Sequence, residues 1–212
     1  MGLTVKQPEN AGNFEPLKPG TYHAVCYAVI DLGTQYSEYY GKATPKLQII
    51  WELPNERIDL VREGKTVNLP RAISKRYTQS LHEKSALSHD LVSWRGRKFT
   101  PEELAGFNMR NILGANCLLN ITHTQKDNKT YTEVAAVSPL MTGMKKVAAE
   151  NPTIAYDMET DGYDIPAAVP EWIRDVIKKS EEWRQQSIGE SGDTGVAVED
   201  EDIPVPDDDI PF

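Results

Sequence analysis

Residues 20–33 read GTYHAVCYAVIDLG, and this stretch decides the fold. One parity of the run carries Tyr22, Ala24, Cys26, Ala28 and Ile30, and the other carries His23, Val25, Tyr27 and Val29. Successive side chains of a strand point to opposite faces, so this run predicts a long β-strand that is apolar on both faces for much of its length. The chain before it, residues 1–19, is polar and contains three prolines, which predicts an irregular lead-in.

Two more strands are predicted after a polar segment. That segment, GTQYSEYYGKATPK (33–46), contains two glycines and a proline and is predicted to be a loop. LQIIWEL (47–53) is predicted to be the second strand, which the following proline closes. Residues 58–69 predict a hairpin that turns at Glu63-Gly64, and AISKRY (72–77) predicts the third strand of the core.

The sequence period then changes from that of a strand to that of a helix. Ser80 followed by Glu83 predicts a capping box, in which each side chain satisfies a free amide of the first turn. The apolar residues behind it fall on about one helical face before Gly96 ends the run; they are Leu81, Leu87, Leu91 and Trp94. PEEL (101–104) predicts a second short helix, because it places a proline and two acids in the first turn.

Two final strands complete the body of the protein. ANCLLNITHT (115–124), the turn QKDNK and TYTEVAAV (130–137) predict a hairpin. Three strands, a helix and two strands is the order of an OB-fold, a five-stranded Greek-key barrel. In that fold strands two and three form the ligand surface, together with the loops between strands one and two and between strands four and five. The sequence therefore predicts a mostly β protein with helical insertions, in which residues 20–140 form an OB-fold domain.

The last third of the chain has a different character. Residues 141–169 are predicted to be a linker, with a short helix as one interpretation of 141–149. Residues 170–187 predict an amphipathic helix, whose stripe consists of Trp172, Ile173, Val176, Ile177, Ser180 and Trp183. Packing on the body, packing on a second copy and recognition of another protein all remain open for this helix. Residues 188–212 contain too few apolar side chains to order themselves, which predicts a disordered acidic tail.

Acidic charge is concentrated towards the C-terminus. Residues 1–150 hold 19 Lys/Arg against 15 Asp/Glu, whereas residues 151–212 hold 4 against 17. This asymmetry is typical of a slightly basic body that meets a polyanion. An acidic tail kept only for solubility has no use for a final aromatic ring. We therefore expect the tip to bind other proteins, with a merely solvated end as the alternative. The tip consists of Asp207, Asp208, Asp209, Ile210, Pro211 and Phe212.

The body carries the side chains that single-stranded nucleic acid requires. Unstacked bases need flat rings, and phosphates need cations along a groove. The candidate residues are Tyr36, Tyr39, Tyr40, Lys42, Lys46, Trp51, Lys75, Arg76, Tyr77, Trp94, Arg95, Arg97, Lys98, Lys126, Lys129 and Tyr131. The three tyrosines at 36–40 are the strongest, because a polar, glycine-bracketed segment gives them little reason to be core. Core positions are the alternative for the two tryptophans, and a solvated turn is the alternative for the last two lysines.

Evidence for an enzyme is thin. His82 and His89 are predicted to lie two helical turns apart, about 10 Å, which is too far to share a metal. No phosphate-binding glycine loop or nucleophile elbow occurs. Acids such as Asp31, Glu52 and Glu133 are scattered singly, so a magnesium-dependent nuclease is a distant alternative. We expect no catalysis, no metal and no cofactor.

The two cysteines, Cys26 and Cys117, lie far apart in apolar stretches, and no secretory or transit segment precedes residue 20. They are therefore predicted to be buried thiols rather than a disulfide. No apolar run approaches the length of about 20 residues that spans a membrane. We expect a cytoplasmic protein that has no membrane partner.

The tip DDDIPF closely resembles that of bacterial single-stranded DNA-binding proteins. The body resembles phage-encoded single-stranded DNA-binding proteins in YAVIDLGTQ, WELP, LHEKSAL, SWRGRKFT and NILGANCLLNI. The resemblance implies an OB-fold that coats single strands in phage replication or recombination, in the host cytoplasm. It also implies that the tip recruits replication or recombination proteins.

Two features depart from the bacterial pattern. They are the helical insertion over residues 80–107 and the C-terminal helix. A monomer or homodimer is therefore expected rather than the bacterial tetramer. The rival hypothesis is a recruitment scaffold of the replication machinery that does not itself bind DNA.

Overall fold

The computed structural model describes residues 16–62, 64–126 and 129–190. The strands are β1 (Gly20–Ser37), β2 (Lys42–Arg62), β3 (Lys65–Thr78), β4 (Asn116–Lys126), β5 (Lys129–Ser138) and β6 (Ile154–Tyr156). The helices are α1 (Ala86–Arg95), α2 (Pro101–Ala105), α3 (Met158–Asp161), α4 (Glu171–Lys178) and α5 (Glu181–Glu190), and Met109–Ile112 form a 3₁₀ turn. Most of the predicted lead-in, Glu63 of the predicted hairpin turn, and residues 191–212 of the acidic tail with its tip lie outside the described residues. Residues 188–190, predicted to belong to the disordered tail, instead continue the helix α5.

The strands form an antiparallel sheet in the order β3-β2-β1-β4-β5, and the short β6 pairs in parallel with β1. β1 lies at the centre because its apolar side chains can be buried on both faces, as its sequence predicts. Its first half pairs with β4, and its residues 28–30 pair with β2 on one edge and with β6 on the other. The prediction of a mostly β protein, with helices between the third and fourth strands, is confirmed.

The loop predicted over residues 33–46 is wrong. Main-chain pairing continues from Thr34↔Pro45 to Ser37↔Lys42, so this segment forms a two-stranded extension of β1 and β2. We call residues 34–45 the tyrosine arm. Polar side chains do not interrupt a ladder of backbone hydrogen bonds, and Gly41 supplies the left-handed conformation (φ 59°) that closes the turn.

The second strand is also longer than predicted. β2 continues past Pro54, and its register against β3 shifts between Leu53 and Arg57. Such a bulge accommodates a proline inside a strand. The predicted hairpin over residues 58–69 is confirmed, but it is the distal part of β2 and β3 rather than a separate element.

The predicted capping box at Ser80 is wrong, although the helix that follows is confirmed. α1 begins later, and its cap is Ser85, whose hydroxyl accepts a hydrogen bond from Ser88 N (3.2 Å). A capping box does occur at α2, where Thr100 and Glu103 bond reciprocally. Gly96 ends α1 in the left-handed conformation, as predicted.

One core lies between the sheet and α1, on what we call the α1 face of the sheet. Trp51, Leu119, Leu91 and Trp94 are buried together there, and the two tryptophan rings are 6.1 Å apart. Burying side chains of this size contributes about 1.5–3 kcal/mol each. This packing decides that the two tryptophans are core residues.

A second core lies on the opposite face of the sheet, where Ile30 and Ile50 pack against Ile173 and Ile177. The apolar residues that pack on this face of the sheet come from residues 139–190, which we call the C-terminal unit. The amphipathic segment over 170–187 packs on its own sheet, as two helices that meet at Lys179 and Ser180 rather than as one. Of the three alternatives that the sequence leaves open for this segment, the structure shows packing on the body of the same chain.

The prediction that residues 141–169 form a linker is wrong. That segment contains β6 and α3, and it buries Ile154, Tyr156 and Met158. The helix considered for residues 141–149 does not form. The backbone there bonds to side chains of the sheet instead: Asn116 both donates to and accepts from the main chain of Val147 (2.9 Å each).

Cys26 and Cys117 are buried and unpaired, as predicted. In the described part of the chain no helix is both long enough and apolar enough to cross a membrane.

Candidate nucleic-acid interface

The tyrosine arm presents aromatic rings to solvent. Tyr39 is 85% exposed and Tyr36 is 61% exposed. The Tyr39 and Tyr40 rings meet edge to face at 4.8 Å, and Lys42 Nζ lies 5.6 Å from the centre of the Tyr40 ring. The arm therefore holds flat rings and a cation within one turn, which is the combination that base stacking and phosphate contact require.

The root of the arm is fixed by the C-terminal unit. Glu182 accepts hydrogen bonds from Thr34 N (2.8 Å) and Thr34 Oγ1 (2.5 Å), and Gln35 Nε2 donates to the Val176 carbonyl (3.0 Å). Burial raises the pKa of Glu182, but hydrogen bonds from Thr34, from its own backbone and from Ser180 together outweigh burial, so this pKa lies below its usual value. The carboxylate is therefore charged at neutral pH. It joins α5 to the arm, whose own pairing consists of two strand segments only.

The buried aromatic candidates cannot offer a ring face to a base. Trp51 and Trp94 belong to the core of the α1 face, and Trp94 Nε1 donates to the Asn116 carbonyl (2.9 Å). Tyr77 is buried too, and its hydroxyl donates to Asp90 (2.7 Å). The prediction that these three rings contact DNA is wrong for the folded chain.

Several predicted phosphate contacts are engaged within the protein. Lys75 Nζ bonds to Asp90 and to the Val134 carbonyl, at 3.0 Å each. Lys46 is buried, and its ammonium donates to Thr78 Oγ1 (3.0 Å). These two lysines stabilise the sheet rather than lie along a groove.

Arg95 and Arg97 form a cluster with Glu103. The Arg95 guanidinium lies over the rings of Phe99 (4.4 Å) and Phe107 (4.9 Å), and both arginines bond to the Glu103 carboxylate. The hydrogen bond from Arg97 is the largest cause that lowers the pKa of Glu103 to about 2. Both arginines therefore hold α1 and α2 together.

The remaining predicted residues are dispersed. Lys98 and Lys126 are exposed, Arg76 and Tyr131 are half-buried, and the side chain of Lys129 lies outside the described residues. The structure brings together Tyr36, Tyr39, Tyr40 and Lys42 on the arm. Lys75 also lies beside Tyr77, and Arg95 beside Arg97, but these two groups are bonded to Asp90 and to Glu103.

The face of β2 opposite the α1 face is covered by the chain itself. Lys46, Gln48, Ile50 and Glu52 alternate along β2, and all four are buried. The Glu52 carboxylate accepts hydrogen bonds from Glu150 N, Asn151 N and Asn151 Nδ2, at 2.6–2.8 Å. We call the face of β2 that carries Lys46, Gln48, Ile50 and Glu52 the covered face. Sequence reasoning missed this role of Glu52, because the sequence does not show which distant backbone N–H groups donate to an acid inside an apolar strand.

A cavity of about 680 Å³ lies between the sheet and the C-terminal unit. Its charged lining consists of four acids, Asp31, Asp157, Glu159 and Glu182, and one base, Arg110, which is paired with Asp161 (2.7 Å). Burial raises the pKa of Asp31, whose carboxylate accepts from Gly33 N (2.9 Å) and Gln79 Nε2 (2.8 Å). Acids around this cavity repel phosphates, so it does not extend the interface.

Among the described residues, no group of three or more His, Cys, Asp or Glu side chains is placed to hold a metal ion. His82 precedes α1 rather than lying on it, and His82 Nδ1 accepts from Lys84 N (3.2 Å).

Comparisons with family models, with curated proteins and with solved structures find no match for this chain.

Proposed function

We propose that this protein binds single-stranded DNA without sequence specificity, and that the tyrosine arm is its base-stacking element. The exposure of Tyr36 and Tyr39 on a braced two-stranded arm is the observation that carries the proposal. Ring stacking contributes about 1–3 kcal/mol per base and tolerates any sequence, because every base has a flat face. Lys42 supplies a cation beside the Tyr40 ring.

The strand order supports an OB-fold for the body. The order β3-β2-β1-β4-β5 with α1 between β3 and β4 is the order expected of that barrel. The bond from Lys75 Nζ to the Val134 carbonyl joins β3 to β5, the two strands that an OB barrel brings together. The tyrosine arm is then the connection between strands one and two, which contributes to the ligand surface of that fold.

The proposed site differs from the usual OB surface in one respect. The C-terminal unit buries the covered face of β2, so that part of the sheet cannot contact a strand while the unit is docked. Trp51 and Tyr77 are themselves buried in the core of the α1 face, so we assign stacking to the arm and not to these rings. No chemical step is assigned to the protein.

The acidic tip over Asp207–Phe212 completes the proposal, although it lies outside the described residues. We keep the prediction that it recruits replication or recombination proteins of a phage system, as the resemblance in the body implies. The rival is a scaffold that uses the same arm to bind protein. Tyrosines are enriched in protein interfaces, so exposure alone does not separate the two hypotheses.

The test is a titration of the full chain with fluorescent oligo-dT and with a duplex of the same length. Tight binding to the single strand that weakens as a power of salt concentration is expected, because bound phosphates release counterions. Equal affinity for single strand and duplex, or affinity that salt does not change, contradicts the proposal and favours the scaffold.

Variants of the arm sharpen this test. Tyr36→Ala and Tyr39→Ala should each weaken oligo-dT binding by about 5- to 150-fold, the equivalent of 1–3 kcal/mol. The matched control is Val61→Ala, which removes an exposed side chain at the far end of β2 and should leave the affinity unchanged. Equal effects of all three variants contradict the role of the arm.

A further inference from the structure

We propose that the bound strand continues from the tyrosine arm onto the C-terminal end of α4, where Lys178 and Lys179 contact its phosphates. This inference rests on the proposed function and adds to it two cations that sequence reasoning assigned only to an amphipathic helix. It also gives the C-terminal unit a role in binding, besides that of covering the sheet.

Hydrogen bonds place the end of α4 beside the arm. Gln35 Nε2 donates to the carbonyl of Val176 (3.0 Å), which lies in the last turn of α4. Lys178 and Lys179 follow Val176 by two and three residues, about 3–4.5 Å along a helix axis. Both lysines are exposed. Glu182, at the start of α5, holds Thr34 from the other side of the helix break.

The pairing of the arm puts Lys42 on the same side. Gln35 pairs with Thr44 and Ser37 pairs with Lys42, and residues that are directly opposite or two apart share a face. Since Gln35 reaches α4 from that face, Lys42 emerges towards α4 as well. The proposed path of the strand therefore runs along this face of the arm, past Lys42, towards the exposed Lys178 and Lys179 at the end of α4.

Carboxylates along this path contribute to its net charge. Glu182 keeps its negative charge while it accepts hydrogen bonds from Thr34. The other acidic neighbours are the exposed Glu38 of the arm, Asp175 of α4 and Glu181 of α5. A simpler role for lysines at the end of α4 is to offset the helix dipole, which is worth about 0.3–1 kcal/mol of stability. That role changes unfolding but not the salt dependence of DNA binding, so the two are separable.

The experiment measures the salt dependence of oligo-dT affinity for the full chain and for the double variant Lys178→Gln/Lys179→Gln. Each phosphate contact contributes about 0.7 to the slope of log affinity against log salt for a single strand. The double variant should lower the slope by about 1.4 and weaken binding roughly 25-fold at about 0.1 M salt. Lys65→Gln, at the far end of the β2–β3 hairpin, is the matched control and should keep the wild-type slope.

The outcomes separate this inference from the function on which it rests. A wild-type chain that does not prefer the single strand overturns the proposed function and this inference together. If Tyr39→Ala weakens binding but the double lysine variant keeps the wild-type slope, the arm stands and the lysine contacts are overturned. An equal loss of slope in Lys65→Gln also overturns them, because the charge effect is then general. Unfolding in urea checks that the variants remain folded.

Discussion

The packing of the C-terminal unit on the sheet can be tested at two glycines that share one backbone conformation. Gly33 and Gly41 both have positive φ angles, 68° and 59°. A Cβ built on Gly33 lies 2.4 Å from Met158 Cε and 2.6 Å from Ser180 Cβ, whereas a Cβ on Gly41 has no neighbour within 4 Å. Substitution by alanine therefore adds the same backbone strain at both positions but a steric overlap at only one.

The expected magnitudes follow from these distances. Left-handed backbone costs a non-glycine residue about 1–2 kcal/mol, so Gly41→Ala should lower the free energy of unfolding by about that amount. Overpacking adds about 1–3 kcal/mol, so Gly33→Ala should lower it by about 2–5 kcal/mol. Urea unfolding followed by tryptophan fluorescence measures both. Equal losses in the two variants would refute the account, because they would mean that nothing packs against Gly33.

Three further predictions concern the contacts that join the sheet to the rest of the chain. Glu52→Gln should lower the free energy of unfolding in urea by about 1–3 kcal/mol, because its amide group then faces backbone N–H donors; an unchanged value would contradict the role of this carboxylate. Burial raises the pKa of Glu182, but its hydrogen bonds, chiefly those from Thr34, together lower this pKa below the usual value. The contact therefore stabilises the docked α5 fully above the usual Glu pKa, and this stabilisation is lost as the pH falls through the lowered pKa. Acid titration of tryptophan fluorescence should show this undocking in the wild type, and Glu182→Gln should lack the transition. Burial raises the pKa of the Cys26 thiol, so iodoacetamide should label Cys26 only after unfolding, and labelling of the native chain would contradict its burial.

Much of the sheet could be predicted from the sequence, because alternating apolar residues determine strands that are half or fully buried. The central strand from Gly20 and the two strands around Asn116–Ser138 are examples. The limits of the strands could not be predicted in the same way. Thr34 to Ser37 and Lys42 to Pro45 carry polar side chains, and their strand conformation comes from pairing with each other. Backbone pairing of this kind leaves no signal in hydrophobic periodicity.

The start of α1 shows a second limit. A serine followed three residues later by an acid predicts a capping box at Ser80, yet the helix is capped by Ser85. Such a pattern is local and short, whereas the position of α1 is set by the burial of Leu87, Leu91 and Trp94 in the core. Tertiary packing therefore decides which of several local caps is used.

The candidate site was predicted in part. The polar, glycine-bracketed setting of Tyr36, Tyr39 and Tyr40 indicated exposure, and Tyr36 and Tyr39 are exposed. The burial of Trp94 and of the lysine–aspartate pair at Lys75 depends on residues that are distant in sequence, so no local pattern signals it. Coverage of β2 by the C-terminal unit depends equally on distant contacts.

Binding of a single strand at the tyrosine arm can be tested by a hydrogen–deuterium exchange footprint of the full chain with and without oligo-dT. Slower exchange is expected at the tyrosine arm and at the end of α4, around Lys178 and Lys179, with no change at Glu52 or Asn151 on the covered face. Protection along the covered face, with an unchanged arm, would contradict binding at the arm, because the strand would then bind where the C-terminal unit now lies.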